Sequence, residues 1–292
     1  SYSGWCAILP RNSADCPRSP LGVFLRLCLA EGVPGALAWP GVKRQRVRDD
    51  HPFLQAVEMG CRHLRFPAED LSNPVLATRL DFLREEGVSL TGIWVEAPRL
   101  DLVQELTQLS VQPDTVEVHL PGVVNPDPSF LQSLSRAREV FAGDFSLAPY
   151  LPRERSPGHY HPRGRLGYHL QELESLSGLV EKSGLGPIRV LGIQPDEADL
   201  LESLDQYAEA IQTLPGISGV DMVYALPDSE DHWGTALARS LAAAFQVSGI
   251  RLFLDPYIDM DRTNDFRPGL LDRLGNPRPA YHTVRCLNTL LS

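Results

Sequence analysis

The sequence predicts an α/β fold, a single (β/α)8 TIM barrel with an irregular N-terminal extension over residues 1–21 and the barrel over 22–292. Three observations predict it. Short apolar strands alternate with amphipathic helical segments to the end of the chain, which is the βα signature. The strands number eight, the number at which side chains just fill a closed parallel barrel. At 292 residues the chain is also near the size of a one-domain barrel, roughly 250 residues.

The strands are expected at 24–29, 61–66, 88–96, 115–120, 145–150, 188–193, 220–226 and 250–255. The first is the least marked, because Gly35-Ala36-Leu37-Ala38-Trp39 offers an alternative. Apolar spacing puts helices at 52–59, 74–86, 100–109, 128–141, 170–183, 197–214, 232–246 and 280–291. Several open on Pro or on an Asp, Ser or Asn cap, and several close just before Gly60, Gly87, Gly143, Gly184 or Gly249. No repeat, low-complexity tract or interdomain linker interrupts this alternation.

Strand parity then locates the charges. In Thr115-Val116-Glu117-Val118-His119-Leu120 the apolar set Val116, Val118 and Leu120 suits packing against helices, which turns Glu117 and His119 to the opposite face. Cys61-Arg62-His63-Leu64-Arg65-Phe66 turns His63 and Arg65 inward in the same way, and Ile250-Arg251-Leu252-Phe253-Leu254-Asp255 does so with Arg251 and Asp255. On the third strand Trp94 and Glu96 are expected on the face opposite Ile93 and Val95. Charges facing a closed interior are costly unless paired or used, so the candidate catalytic groups are Glu96, Glu117 and Asp255. Carboxylates in separated environments are what acid–base and glycosidic chemistry require. The same residues also fit an ion-pair network with Arg26, Arg65, Arg189 and Arg251 that only fills the barrel.

Barrels of this kind build their sites from loops at the C-terminal ends of the strands. Three such loops are long, at 43–48, 152–169 and 256–279. The middle one holds Arg153, Arg155, Arg163 and Arg165 with His159, His161 and His169 against one Glu154, on a chain of net charge -10. A basic loop over a barrel mouth suits an anionic ligand such as a carboxylate or phosphate; equally, its arginines could pair with the acidic body. His63, Arg65, Trp94, His119, Tyr150, Arg163 and Arg165 are the candidate substrate-binding residues. His159-Tyr160-His161 lacks an assigned third ligand, so no metal is expected. Asp259, Asp261 and Asp265 fall short of the tight oxygen-rich loop that calcium needs. Trp233, beside Asp228, Glu230, Asp231 and His232, could stack on a sugar, although those charges read as helix caps. No GxSxG, Walker or GxGxxG motif occurs, and no cofactor is expected.

Hydrophobic residues make up 43% and charged residues 22%, an ordinary globular balance. The acidic net charge speaks against general binding to nucleic acid or anionic membranes. No apolar run approaches the roughly 20 residues of a membrane span, and the first residues carry no signal-peptide pattern. Cys6, Cys16, Cys28, Cys61 and Cys286 are odd in number without a CxxC pair, which favours reduced thiols and a cytoplasmic setting. The opening Ser1 leaves excision from a longer chain and a secreted origin open.

Gly60-Cys61-Arg62-His63-Leu64-Arg65-Phe66-Pro67 resembles the second-strand region of clan A glycoside hydrolases, in which an Arg before an apolar-Pro pair supports the catalytic carboxylate. The resemblance implies that role for Arg65. Phe82-Leu83-Arg84-Glu85-Glu86-Gly87-Val88-Ser89-Leu90 is similar to their passage into the third strand, and Gly269-Leu270-Leu271-Asp272-Arg273-Leu274-Gly275-Asn276-Pro277-Arg278-Pro279-Ala280-Tyr281-His282 to their tail before barrel closure. Those enzymes carry a fourth-strand Asn-Glu as acid–base and a seventh-strand Glu as nucleophile. Here Leu120 and Pro121 stand at the first position, and Val223-Tyr224-Ala225-Leu226-Pro227 ends the seventh strand without a Glu. The resemblance therefore implies a sugar or oligosaccharide ligand, anionic if the basic loop contributes, more than it implies hydrolysis. Two rivals follow from the same residues: a non-catalytic carbohydrate-binding or interaction barrel, that is a pseudoenzyme, and a metal-dependent sugar isomerase or epimerase.

Overall fold

The computed structural model describes residues 19–25, 51–95, 101–152, 164–193, 200–226, 230–262 and 265–291. Their order is β1 (Leu21–Phe24), α1 (His51–Glu58), β2 (His63–Pro67), α2 (Pro74–Glu85), β3 (Ser89–Trp94), α3 (Leu102–Gln108), β4 (Thr115–Pro121), α4 (Pro128–Arg138) and β5 (Asp144–Leu151). Then come β6 (Arg165–Leu166), α5 (Leu173–Ser183), β7 (Ile188–Gly192), α6 (Leu200–Thr213), β8 (Ile217–Ala225), α7 (Glu230–Gln246), β9 (Ile250–Asp255), β10 (Met260–Arg262), β11 (Asp265–Arg267) and α8 (Pro279–Leu291).

Eight of the strands pair in parallel in the order β4-β3-β2-β1-β9-β8-β7-β5, and pairing of β4 with β5 closes the ring. The closed (β/α)8 barrel is thus the observed architecture. β6 adds antiparallel to the end of β5, and β10 and β11 form a separate hairpin.

Local chemistry explains the helix starts. Asn73 accepts backbone N–H bonds from Val75 and Leu76 with Pro74 at the first helical position, and Asp127 caps α4 ahead of Pro128 in the same manner. Asp101 caps α3. At the other end of α5, Gly184 adopts φ 71°, the left-handed conformation that stops a helix.

The outer faces of the strands build the main core. Leu64 and Phe66, Val116 and Val118, Phe145 and Leu147, and Leu252 and Leu254 are buried against helical residues such as Leu76, Leu80, Leu131 and Leu176. This layer holds the barrel at its fixed radius.

The first strand begins at Leu21, earlier than the expected residue 24, and the remainder of the expected strand beyond Leu25 lies outside the described residues, as does the alternative at 35–39. Gly22 explains the difference. A glycine reads as a break in a strand, yet here it makes room for the inward ring of Phe253, which a Cβ at position 22 would approach to 2.5 Å.

Candidate functional site

The register fixes which side chains share the interior. Gly22 pairs with His63 and Phe253, Arg65 with Thr91, Ile93 with Glu117, Glu117 with Ser146, His119 with Ala148, Asp221 with Arg251, and Ala225 with Asp255. Laterally paired residues of parallel strands point the same way, so all of these face inward.

The inward charges form two tiers. Toward the N-terminal ends of the strands, Asp221 of β8 accepts from Arg189 Nε and Nη2 at 3.0 and 2.7 Å, and from Arg251 Nε and Nη2 at 2.6 and 2.5 Å. Arg251 Nη1 reaches across to Thr115 Oγ1 at 3.3 Å. Two guanidinium groups hold the Asp221 carboxyl far below the usual carboxylate range, against a burial effect that alone raises it. His63 opens β2 at this end. Burial, followed by the Arg251 charge, lowers its pKa to about 3, so it is a neutral core histidine edge-on to Phe253.

Nearer the C-terminal ends lies the second tier. Arg65 donates to Glu117 through Nε at 2.9 Å and Nη2 at 2.5 Å, and His119 Nε2 lies 2.7 Å from Glu117 Oε1. The Arg65 guanidinium also lies 5.6 Å from the Phe24 ring centre and 5.3 Å from that of Phe253. Burial raises the Glu117 pKa, but Arg65 and His119 together bring it down to about 2. Glu117 is therefore an ionised acceptor with 0% exposure. In this cluster His119 is the member that reaches solvent, its side chain 13% exposed against 1% for Arg65.

The remaining sequence candidates are distributed as follows. Asp255 closes β9 at the C-terminal end, 3% exposed. Tyr150 is half-buried near the end of β5, opposite Pro121. Arg165 is near the same end on β6, but its two Nη groups bind both oxygens of Glu172 at 2.8 to 3.0 Å, an ion pair within the scaffold. Trp94 departs from expectation. It pairs with Val118, faces the helices and is buried in the outer core, its ring over Gly92. The inward residues of β3 are Ser89, Thr91 and Ile93. His63, expected at the mouth, sits at the opposite end of the barrel. Glu96, Arg163 and Arg26 lie outside the described residues.

Two groups went unnoticed in the sequence. Asp221 interrupts Val220-Asp221-Met222-Val223-Tyr224 by the same alternation that exposed Glu117, so its signal was present. Asp70 carried none. It stands on a 3₁₀ turn, Ala68–Ser72, directly after β2, and is buried, with burial and neighbouring Glu69 raising its pKa to about 6. Among the described residues no group of three or more His, Cys, Asp or Glu side chains is placed to hold a metal ion, and no helix is long and apolar enough to cross a membrane.

Solved structures share this architecture. A GH2 β-galacturonidase from Eisenbergiella tayi bound to galacturonate superposes with TM-score 0.55 at 15% identity, over 94% of this chain and 51% of that one. The chain thus spans about half the length of that enzyme. Native xylanase 10B from Thermotoga maritima matches with TM-score 0.54 at 11% identity, over 92% of this chain and 94% of the xylanase. A GH128 (subgroup I) endo-β-1,3-glucanase from Amycolatopsis mediterranei in complex with laminaritriose gives 0.54 at 14%, over 92% and 99%. The chain shares the barrel fold of glycoside hydrolases. At these identities the likeness is one of fold, and function has to be argued from the site. No family model and no curated protein matches the sequence.

Proposed function

We propose that the C-terminal face of this barrel binds a sugar or sugar acid, with His119 and Tyr150 contacting the ligand and Arg65 and Glu117 holding His119 in place. The observation that carries the reading is the inner cluster itself: Arg65 and Glu117 satisfy one another in the dry interior, and His119 is their outlet to solvent. The fold likeness supports the ligand class, since galacturonate and laminaritriose are bound in two of the similar structures. Arg163, in the basic loop after the fifth strand, supplies the cation for an anionic sugar.

Binding is the better supported part of this reading. On the resemblance to clan A enzymes, Leu120 and Pro121, and the stretch 223–227, stand where the two glutamates of a retaining pair are expected. Glycoside cleavage is the second reading, favoured by Asp255, a carboxyl buried at the strand end where barrel enzymes place their chemistry. In it Asp255 and Glu96 supply the acid and base, and Glu117 acts through His119.

Titration calorimetry with galacturonate, a xylo-oligosaccharide and laminaritriose tests the proposal. At least one should bind with Kd near or below roughly 1 mM, about -4 kcal/mol, and His119→Ala should weaken it about tenfold. Failure of all three to bind the wild type removes the proposal. Aryl-glycoside assays on wild type, Glu117→Gln and Asp255→Asn separate the readings: turnover lost in Asp255→Asn supports cleavage, and equal rates in all three remove both carboxylates from the chemistry.

A further inference from the structure

We infer that His119 Nδ1 is the group that accepts a hydrogen bond from a ligand hydroxyl, because Glu117 fixes the ring proton on Nε2. The inference rests on the sugar-binding reading and adds to it the direction of one hydrogen bond.

The argument begins with donor counting. An ionised carboxylate only accepts, and a neutral imidazole has one N–H and one lone pair. Nε2 lies 2.7 Å from Glu117 Oε1, a distance that requires the hydrogen to stand between them. The lone pair is then left on Nδ1, as in other sites where a carboxylate sets the tautomer of a histidine. Glu117 cannot turn to release that proton. Arg65 Nε occupies Oε2 at 2.9 Å and Arg65 Nη2 shares Oε1 at 2.5 Å, while Phe24 and Phe253 flank the guanidinium.

Nδ1 itself has no hydrogen-bond partner among the described residues. The neighbour of His119 on β5 is Ala148, which has no polar side chain to compete for it. Among the described residues the other titratable groups toward this end include Asp255 on β9, Tyr150 on β5, Arg165 on β6 with its partner Glu172, and Asp70 on the turn after β2. Arg65 and Glu117 below carry opposite charges that cancel.

The test is the nitrogen spectrum of His119 in the 15N-labelled chain, assigned by its loss in His119→Gln. In its neutral form the wild-type ring should show protonated Nε2 and unprotonated Nδ1, and galacturonate should move the Nδ1 resonance more than that of Nε2. His119→Phe should bind galacturonate about tenfold more weakly, the worth of one hydrogen bond. A proton on Nδ1 in the neutral ring of the free wild type overturns the inference without any variant needing to fold. So does an unmoved Nδ1 resonance while calorimetry records galacturonate binding, an outcome that leaves the sugar-binding reading intact. Absence of binding by galacturonate, a xylo-oligosaccharide and laminaritriose removes both.

Discussion

Glu117 serves three hydrogen bonds with two oxygens, all of them away from water, and its removal leaves a buried guanidinium without its counterion. Glu117→Gln should therefore destabilise the fold by about 3 kcal/mol, the cost of breaking a buried ion pair from one side, as read from guanidinium unfolding midpoints. The pH dependence follows from the same groups. The Glu117 pKa is depressed to about 2 from 4.5, so its contribution is present above pH 4.5 and is lost as pH falls toward 2. His63, depressed to about 3 from 6.5, adds a loss that begins as pH falls below 6.5, where the unfolded chain takes up a proton that the folded chain refuses. Asp70 has the opposite sign. Its pKa is raised from 3.8 to about 6, so the stability present below pH 3.8 is lost as pH rises through 6. Asp70→Asn should accordingly stabilise the protein at pH 7 by about 1 kcal/mol and change little at pH 4; equal effects at both pH values would contradict this assignment. The inward facing of Glu117 and Arg65 was legible because their strands carry apolar residues on one face only. The outward facing of Trp94 was not, since β3 is apolar on both faces, Leu90 and Trp94 outside against Ile93 inside, and alternation then has no sign.

At the scale of elements, Asp221 ties β7, β8 and β9 through Arg189 and Arg251. Asp221→Ala should cost about 3 to 5 kcal/mol, and a double-mutant cycle with Arg251→Met should show the two substitutions to be strongly non-additive. Additive effects would mean that the carboxylate does not couple the strands. The start of the barrel depends on a steric fit. Gly22→Ala would bring a Cβ to 2.5 Å from the Phe253 ring and 2.8 Å from the His63 carbonyl oxygen, an overpacking that should cost about 1 to 3 kcal/mol. Phe253→Leu should recover part of the loss, measured by thermal unfolding. Helix positions were readable from caps such as Asn73 and Asp127, whose side chains act locally. The β1 boundary was not, because the role of Gly22 depends on a ring contributed 231 positions later in the chain, from Gly22 to Phe253.

For the whole molecule, closure of β4 on β5 gathers charges scattered along the sequence into one interior. Eightfold βα alternation made that closure predictable, and parity made its charged lining predictable. The two tiers were beyond the sequence, since depth along the barrel depends on inter-strand register and not on alternation. His63 and His119 both face inward, yet they belong to opposite ends. The sequence also left open whether the inward charges only fill the barrel or serve a ligand. In the N-terminal tier Asp221, Arg189 and Arg251 bind one another and fit the first role, whereas the C-terminal tier has an outlet at His119. A crystal structure of the protein soaked with galacturonate tests this division most directly. The account predicts the sugar at the C-terminal mouth with a hydroxyl within 3.2 Å of His119 Nδ1; a sugar bound elsewhere, or at the mouth without contact to His119, would contradict it.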